Sequence, residues 1–201
     1  MLAMTRSVVA TLAFLGLTSV ADAQGVRLRG AIESTNGQTF VVHTREGETA
    51  SVRLKQGAPI GALVKAQLAD IKPGLFVGAA AVPGPGGALK ALEIHIFPEA
   101  MRGMGEGFRP FDLAPGSSMT NGNISAVVET VDGPKLTLTY KGGEQTILID
   151  QATPIVTMTP GSIDDLKPGA GIIVLAASKD ADGVYEAQRL IVGRDGVKPP
   201  M

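Results

Sequence analysis

Short runs in which apolar and polar residues alternate, separated by Gly, Asn, Asp or Pro, fill the chain from about residue 26 to residue 192. Leu136, Leu138 and Tyr140 alternate with Thr137 and Thr139, Ile147 and Ile149 with Leu148 and Asp150, and Val52 and Leu54 with Arg53 and Lys55. A period of two between turn residues is the pattern of half-buried β-strands. No stretch keeps a helical period long enough for a helix. Asn36-Gly37, Asp132-Gly133 and Asp182-Gly183 each stand between two such runs, where a tight hairpin needs φ > 0, so they predict antiparallel neighbours. One helical turn is expected in each half, at Leu68-Ala-Asp-Ile71 and at Ile163-Asp-Asp-Leu166, each stopped by the Lys-Pro-Gly that follows. Asp70 and Asp165 are expected to support those turns rather than to perform chemistry. Leu75 to Val82 and Gly171 to Ala177 are almost wholly apolar and small, which predicts strands buried on both faces.

The second feature of the pattern is that it occurs twice. Pro59-Ile60 returns as Pro154-Ile155 and Lys72-Pro73-Gly74 as Lys167-Pro168-Gly169, at an offset of 95. The Asn36-Gly37 turn returns as Asp132-Gly133, Gly47 as Gly143, and Ala91 with Ile94 as Ala187 with Leu190, at an offset of 96. The steps in offset are those of one residue gained and one lost in loops. Residues 26–97 and 120–192 therefore read as two copies of one unit. About six short strands and one helical turn per copy suit a small closed barrel, because closure removes exposed edges. Ile94 and Leu190 are expected to point inward at equivalent positions.

At the N-terminus, Arg6 precedes a mostly apolar run from Val8 to Val20 and then Ala21-Asp22-Ala23. That is the layout of a cleaved export signal, and the run is shorter than the roughly 20 residues a span requires. Residues 1–23 are thus expected to be a signal peptide cleaved after Ala23, which places the product in the periplasm. There is no Cys, so disulfides, thiolate nucleophiles and thiolate ligands are excluded, and an exported chain built without them suits a bacterial periplasm. Lys and Arg total 18 against 19 Asp and Glu, with no two basic residues adjacent. This balance argues against nucleic-acid binding through clustered cations. No stretch after the signal reaches the apolar length of a membrane span.

Three segments carry a resemblance: Lys72-Pro-Gly with its following apolar strand, Lys90-Ala-Leu-Glu-Ile-His-Ile-Phe-Pro-Glu99, and Met101-Arg-Gly through Glu106-Gly-Phe-Arg-Pro-Phe-Asp112. With the closing Gly193-Arg-Asp-Gly-Val-Lys-Pro-Pro-Met201, they make the chain similar to an uncharacterised group of exported proteobacterial proteins. Those proteins have OB-like β-barrel domains of unknown function and often bear the automatic label "metal ABC transporter permease". The resemblance implies an all-β fold of two tandem small OB-like β-barrels, residues 24–97 and 120–201, joined by a long irregular strap at 98–119. It implies no activity, and the permease label conflicts with the absence of any spanning segment. Members of the group tend to carry His in place of Phe108 and Trp in place of Phe111, which weakens a metal reading for this chain.

The strap from Pro98 to Met119 shows no strand or helix period, and it is far longer than a bare connector between compact domains. Met101, Arg102, Met104, Glu106, Phe108, Arg109, Phe111 and Asp112 are its candidate binding residues. Two roles stand level for it: packing across the barrels, with Phe108, Phe111 and Met104 buried between them, or presenting those side chains to a partner. Gly103-x-Gly105-x-Gly107 lacks the strand and helix that a nucleotide fingerprint needs. Asp180-Ala-Asp182-Gly183 lacks the further ligands of a calcium loop and reads as a hairpin turn. His95, Met101, Met104 and Met119 form a soft donor set suited to Cu(I), although Met also fills irregular packing. A partly covered His95 and a strand-borne His43 need no metal. No Gly-x-Ser-x-Gly elbow or paired-carboxylate motif is present. The chain is accordingly expected to be a non-enzymatic binding or scaffolding module of the cell envelope that uses no cofactor. An envelope protein is the first partner and a glycan the second, with periplasmic copper binding as the alternative of a different class. The scarcity of aromatic residues disfavours a stacking platform for sugars or bases.

Overall fold

The computed structural model describes residues 25–131 and 133–199. The signal-peptide segment and its cleavage point after Ala23 lie outside the described residues, as does Asp132 of the second hairpin turn. The first copy forms β1 (Val26–Thr35), β2 (Thr39–Thr44), β3 (Thr49–Leu54), β4 (Ile60–Lys65), β5 (Phe76–Pro83) and β6 (Leu89–Ile96). The strap contributes β7 (Gly107–Pro110). The second copy forms β8 (Ser118–Val128), β9 (Lys135–Tyr140), β10 (Gly143–Leu148), β11 (Ile155–Pro160), β12 (Gly171–Lys179), β13 (Tyr185–Ala187) and β14 (Arg189–Gly193). The remaining regular elements are single 3₁₀ turns, so the fold is all-β.

The pairing closes into rings. β1, β2 and β3 form an antiparallel meander, β3 pairs in parallel with β13, β13 pairs with β12, and β12 returns to β1, which makes a closed five-stranded barrel. A second circuit runs β8, β9, β10, then in parallel to β6, then β5 and back to β8. Neither ring is the contiguous unit 24–97 or 120–201 that the duplication predicts. Each takes three strands from one copy and its closing strands from the other.

β4 and β11 are the physical reason. After a short turn in which the Ala58 amide donates to the Lys55 carbonyl, the chain continues as an extended strand, and six strand residues cover about 20 Å, enough to carry it from one ring into the other. β4 pairs antiparallel with β11, with Leu63 opposite Met158. Those two are each other's equivalents at the offset of 95, so the crossing has a pseudo-twofold axis through its centre. β14 flanks β4 and β11 flanks β6, both in parallel, which gives a continuous β14-β4-β11-β6 sheet between the rings.

The cores follow the exchange. Ile32, Phe40, Val42 and Val52 pack with Ile172, Val174, Leu190 and Val192 in the first ring. Val77, Ala79 and Ile94 pack with Ile124, Leu136, Leu138 and Ile147 in the second. Ile94 and Leu190 both point inward and are fully buried. The two Lys-Pro-Gly corners are equivalent, with Gly74 and Gly169 at φ 88° and 85°. Gly74 donates to the Ile124 carbonyl at 2.8 Å and Gly169 to the Ile32 carbonyl at 2.7 Å, each bond tying one copy to the first strand of the other. Asp70 and Asp165 close the preceding turns by accepting from the Gln67 and Ser162 amides, each at 2.8 Å.

Two local expectations change. The residue gained in the second copy lies within a strand, not a loop: Ala176 is the extra position, a bulge at φ 53° where β12 shifts register against β1. The strap is not without strand either, since β7 pairs antiparallel with β8 from Gly107–Asn121 to Pro110–Ser118. β5 is buried from Phe76 to Ala81, on both faces as expected.

Candidate functional site

In the central sheet, Ala62, Leu190 and Val192 face the first core while Ile94 and Ile155 face the second. Strand alternation therefore places Gly61, Leu63, Met158, Ile191 and His95 together on the opposite face. Leu63 and Val156, at one end of this face, are covered by Val197 of the C-terminal segment. The other end is an apolar groove of about 630 Å³. Gly61 and Met158 form its floor, Leu175, Arg189 and Ile191 one wall, His95, Phe97 and Pro98 the other, and Met101 and Met104 its lip.

The strap makes the lip, and named contacts at both rings hold it in place. Arg29 of β1, only 5% exposed, grips Asp112 with two hydrogen bonds of 2.5 and 2.7 Å. The Arg45 guanidinium donates to the Asp112 carbonyl at 2.9 Å, and Arg29 lies 5.5 Å over the Phe111 ring. Hydrogen bonds from Arg29 hold the Asp112 carboxyl down at about 2. On the second ring, Arg102 pairs with Glu99, donates to the Gly74 carbonyl at 3.0 Å and bonds Asn123. Glu106 accepts from the Lys141 amide at 2.9 Å, and Asn121 Nδ2 donates to the Met104 carbonyl at 2.9 Å.

The sequence-selected residues divide accordingly. Asp112 and Phe111 anchor the strap to the first ring, and Arg102 and Glu106 anchor it to the second. Phe108 and Met104 are not buried between the rings; they are 47% and 44% exposed. Arg109 is also exposed, donating to the Gly105 carbonyl at 2.7 Å. Of the soft donor set, His95, Met101 and Met104 meet in the groove and Met158 joins them. Met119 of β8 does not line the groove; its Sδ lies 3.5 Å from where a Gly78 Cβ would be, beside Asn121 Oδ1 and the Phe97 ring edge. The sequence offered a signal for Met158 only through the repeat, as the partner of Leu63 across the axis.

His95 stacks on Phe97 at 4.5 Å between ring centres and 11° between planes. Its Nε2 is shielded from solvent and has no hydrogen-bond partner among the described residues. Burial lowers its pKa to about 4, so the imidazole is neutral at physiological pH and keeps a free nitrogen lone pair. Two residues earlier on β6, Glu93 is 6% exposed, and burial raises its carboxyl to about 8. Sequence patterning missed Glu93, since an acid on an alternating strand ordinarily marks a solvated face. His43 is exposed on β2. Asp180 accepts from the Asp182 and Val184 amides at 3.0 and 2.8 Å and so closes a hairpin turn. No helix of the described residues is long and apolar enough to cross a membrane. No family model, curated protein or solved structure matches the chain.

Proposed function

We propose that this chain is an exported, non-enzymatic binding or scaffolding module of the cell envelope, built from two OB-like barrels that exchange strands, and that it contacts a protein partner through the strap. The observation that carries this reading is the contrast within the strap. Arg29–Asp112, Arg102, Glu106 and β7 fix its backbone, while Phe108 and Met104 stay exposed. Exposed aromatic and Met side chains on a rigid support lose little conformational entropy on binding and suit the anchors of an interface.

Phe108→Ala is therefore expected to change stability by less than about 0.5 kcal/mol, as for other exposed sites. It should also abolish recovery of the partner from periplasmic extract by the mature chain. Retention of the same partner by Phe108→Ala and by Phe108→Ala/Arg109→Ala would remove the strap from the interface.

A second reading rests on the unpartnered His95 Nε2 and the three thioethers of Met101, Met104 and Met158 in one groove. One imidazole with three thioethers is a donor set that selects Cu(I). Titration of the purified chain with Cu(I) against a competing chelator is expected to give stoichiometric binding that His95→Ala removes and Met119→Ala spares. Equal binding by wild type and His95→Ala would end this reading.

A further inference from the structure

The groove is apolar along its floor and cationic at one end. Arg189 lines the wall next to its register partner Leu175. Arg27 lies on that same outer face, because its neighbour Leu28 and the facing Val174 both turn into the first core. Arg109 belongs to the strap whose Met101 and Met104 line the groove. Its guanidinium rests against the Gly105 backbone, next to the Met104 that forms the lip. Partial burial, and then the charge of Arg27, lower the pKa of Arg109. Among the described residues, no ion pair engages Arg27, Arg109 or Arg189. Asp112, whose carboxyl also feels the charge of Arg27, is held by both outer nitrogens of Arg29.

We infer that the groove binds a single-chain amphipathic anion, its acyl chain lying over Gly61 and Met158 and its carboxylate meeting Arg189, Arg109 and Arg27. The volume falls within the range of roughly 300–1,000 Å³ typical of small-ligand sites. Three Met side chains line a groove that adapts to a flexible chain, and guanidinium groups that no ion pair engages among the described residues supply the complement for a carboxylate. The groove shares Met104 and Arg109 with the strap surface proposed to meet a protein partner, so acid binding is the readout used here, and Phe108, which does not line the groove, separates the two readings.

The test is titration of the full-length mature chain with palmitic acid, below the concentration at which the acid aggregates, with hexadecanol as the uncharged control. Saturable binding of the acid is expected, with the alcohol weaker by about tenfold or more, the equivalent of one charge-assisted contact. Arg189→Glu/Arg109→Glu should weaken the acid by at least about tenfold and leave the alcohol unchanged. Gly61→Leu should abolish binding of both. A Cβ at Gly61 would meet the movable Met158 sulfur at 3.2 Å, so the new side chain enters the groove without backbone strain. Leu175→Trp fills the groove from the opposite wall should Gly61→Leu fail to fold. The inference is overturned if the acid does not bind, if acid and alcohol bind equally, if the double Arg variant binds the acid as wild type does, or if an occluding variant that folds retains binding. Association with anionic vesicles in the absence of monomeric acid binding would also overturn it.

Discussion

Expressed separately, residues 25–119 and residues 120–199 will not give folded monomers, and mixing them will restore a one-to-one complex that melts cooperatively. Each ring takes three strands from one copy and its closing strands from the other. The first half alone would present Ile32, Phe40, Val42 and Val52 without Ile172, Val174, Leu190 and Val192. Those four missing side chains alone represent about 6–12 kcal/mol of burial at 1.5–3 kcal/mol each, as much as the whole stability of an ordinary domain. A half-chain does have one escape. The β4–β11 register is symmetric about Leu63 and Met158, so β4 of one half could pair with β4 of a second copy and rebuild both rings as a homodimer. Circular dichroism and size-exclusion chromatography of each half and of the mixture distinguish the cases. A monomeric half with a cooperative thermal transition would show that strand exchange is not required for folding.

This exchange marks where the sequence stops being legible. The hairpin turns, the Asp70 and Asp165 supports, the doubly buried β5 and the inward Ile94 and Leu190 all follow from local chemistry, which is the same whichever ring a strand joins. Choice of partner is different. β5 and β12 are equivalent apolar strands, and nothing in their patterning tells β1 to pair with β12 instead of β5. The deciding feature is the extended Ile60–Lys65 segment, whose sequence reads equally well as one more strand of a contiguous barrel. The strap was legible as a place and not as a geometry. Its anchor joins Asp112 to an arginine 83 residues away, a separation at which no local pattern operates. The groove was half legible: His95, Met101 and Met104 were visible as a donor set, whereas Met158 and Arg189 enter it only because the second copy's strands cross into the first ring.

Stability measured across pH will show a plateau between about 4.5 and 6.5 and a decline from 6.5 to 8, and Glu93→Gln will remove that decline. Two buried groups on β6 determine the shape. Burial raises Glu93 from 4.5 to about 8 and lowers His95 from 6.5 to about 4. At pH 5.5 the unfolded chain therefore carries an ionised Glu93 and a protonated His95, while the folded chain holds both neutral. Each state binds one proton across the two sites, so their contributions to the slope cancel. Above pH 6.5 the unfolded His95 has lost its proton, and the folded state holds one proton more, on Glu93. Stability then falls by up to about 1 kcal/mol per pH unit, or about 1.3 kcal/mol between 6.5 and 8. Below 4.5 the unfolded chain gains the excess proton through His95 and, further down, through Asp112 and Asp165, whose arginine partners hold them at about 2. Stability therefore declines again toward acid. Glu93→Gln keeps the shape of the neutral acid and leaves His95 acting alone, so stability should rise from pH 4 to 6.5 and stay level to 8. His95→Phe leaves Glu93 alone and should start the decline at 4.5. Urea melts at half-unit intervals measure all three profiles. A wild-type chain that loses no stability between 6.5 and 8, or a Glu93→Gln chain that loses as much as wild type, would mean that Glu93 does not fold as a neutral acid.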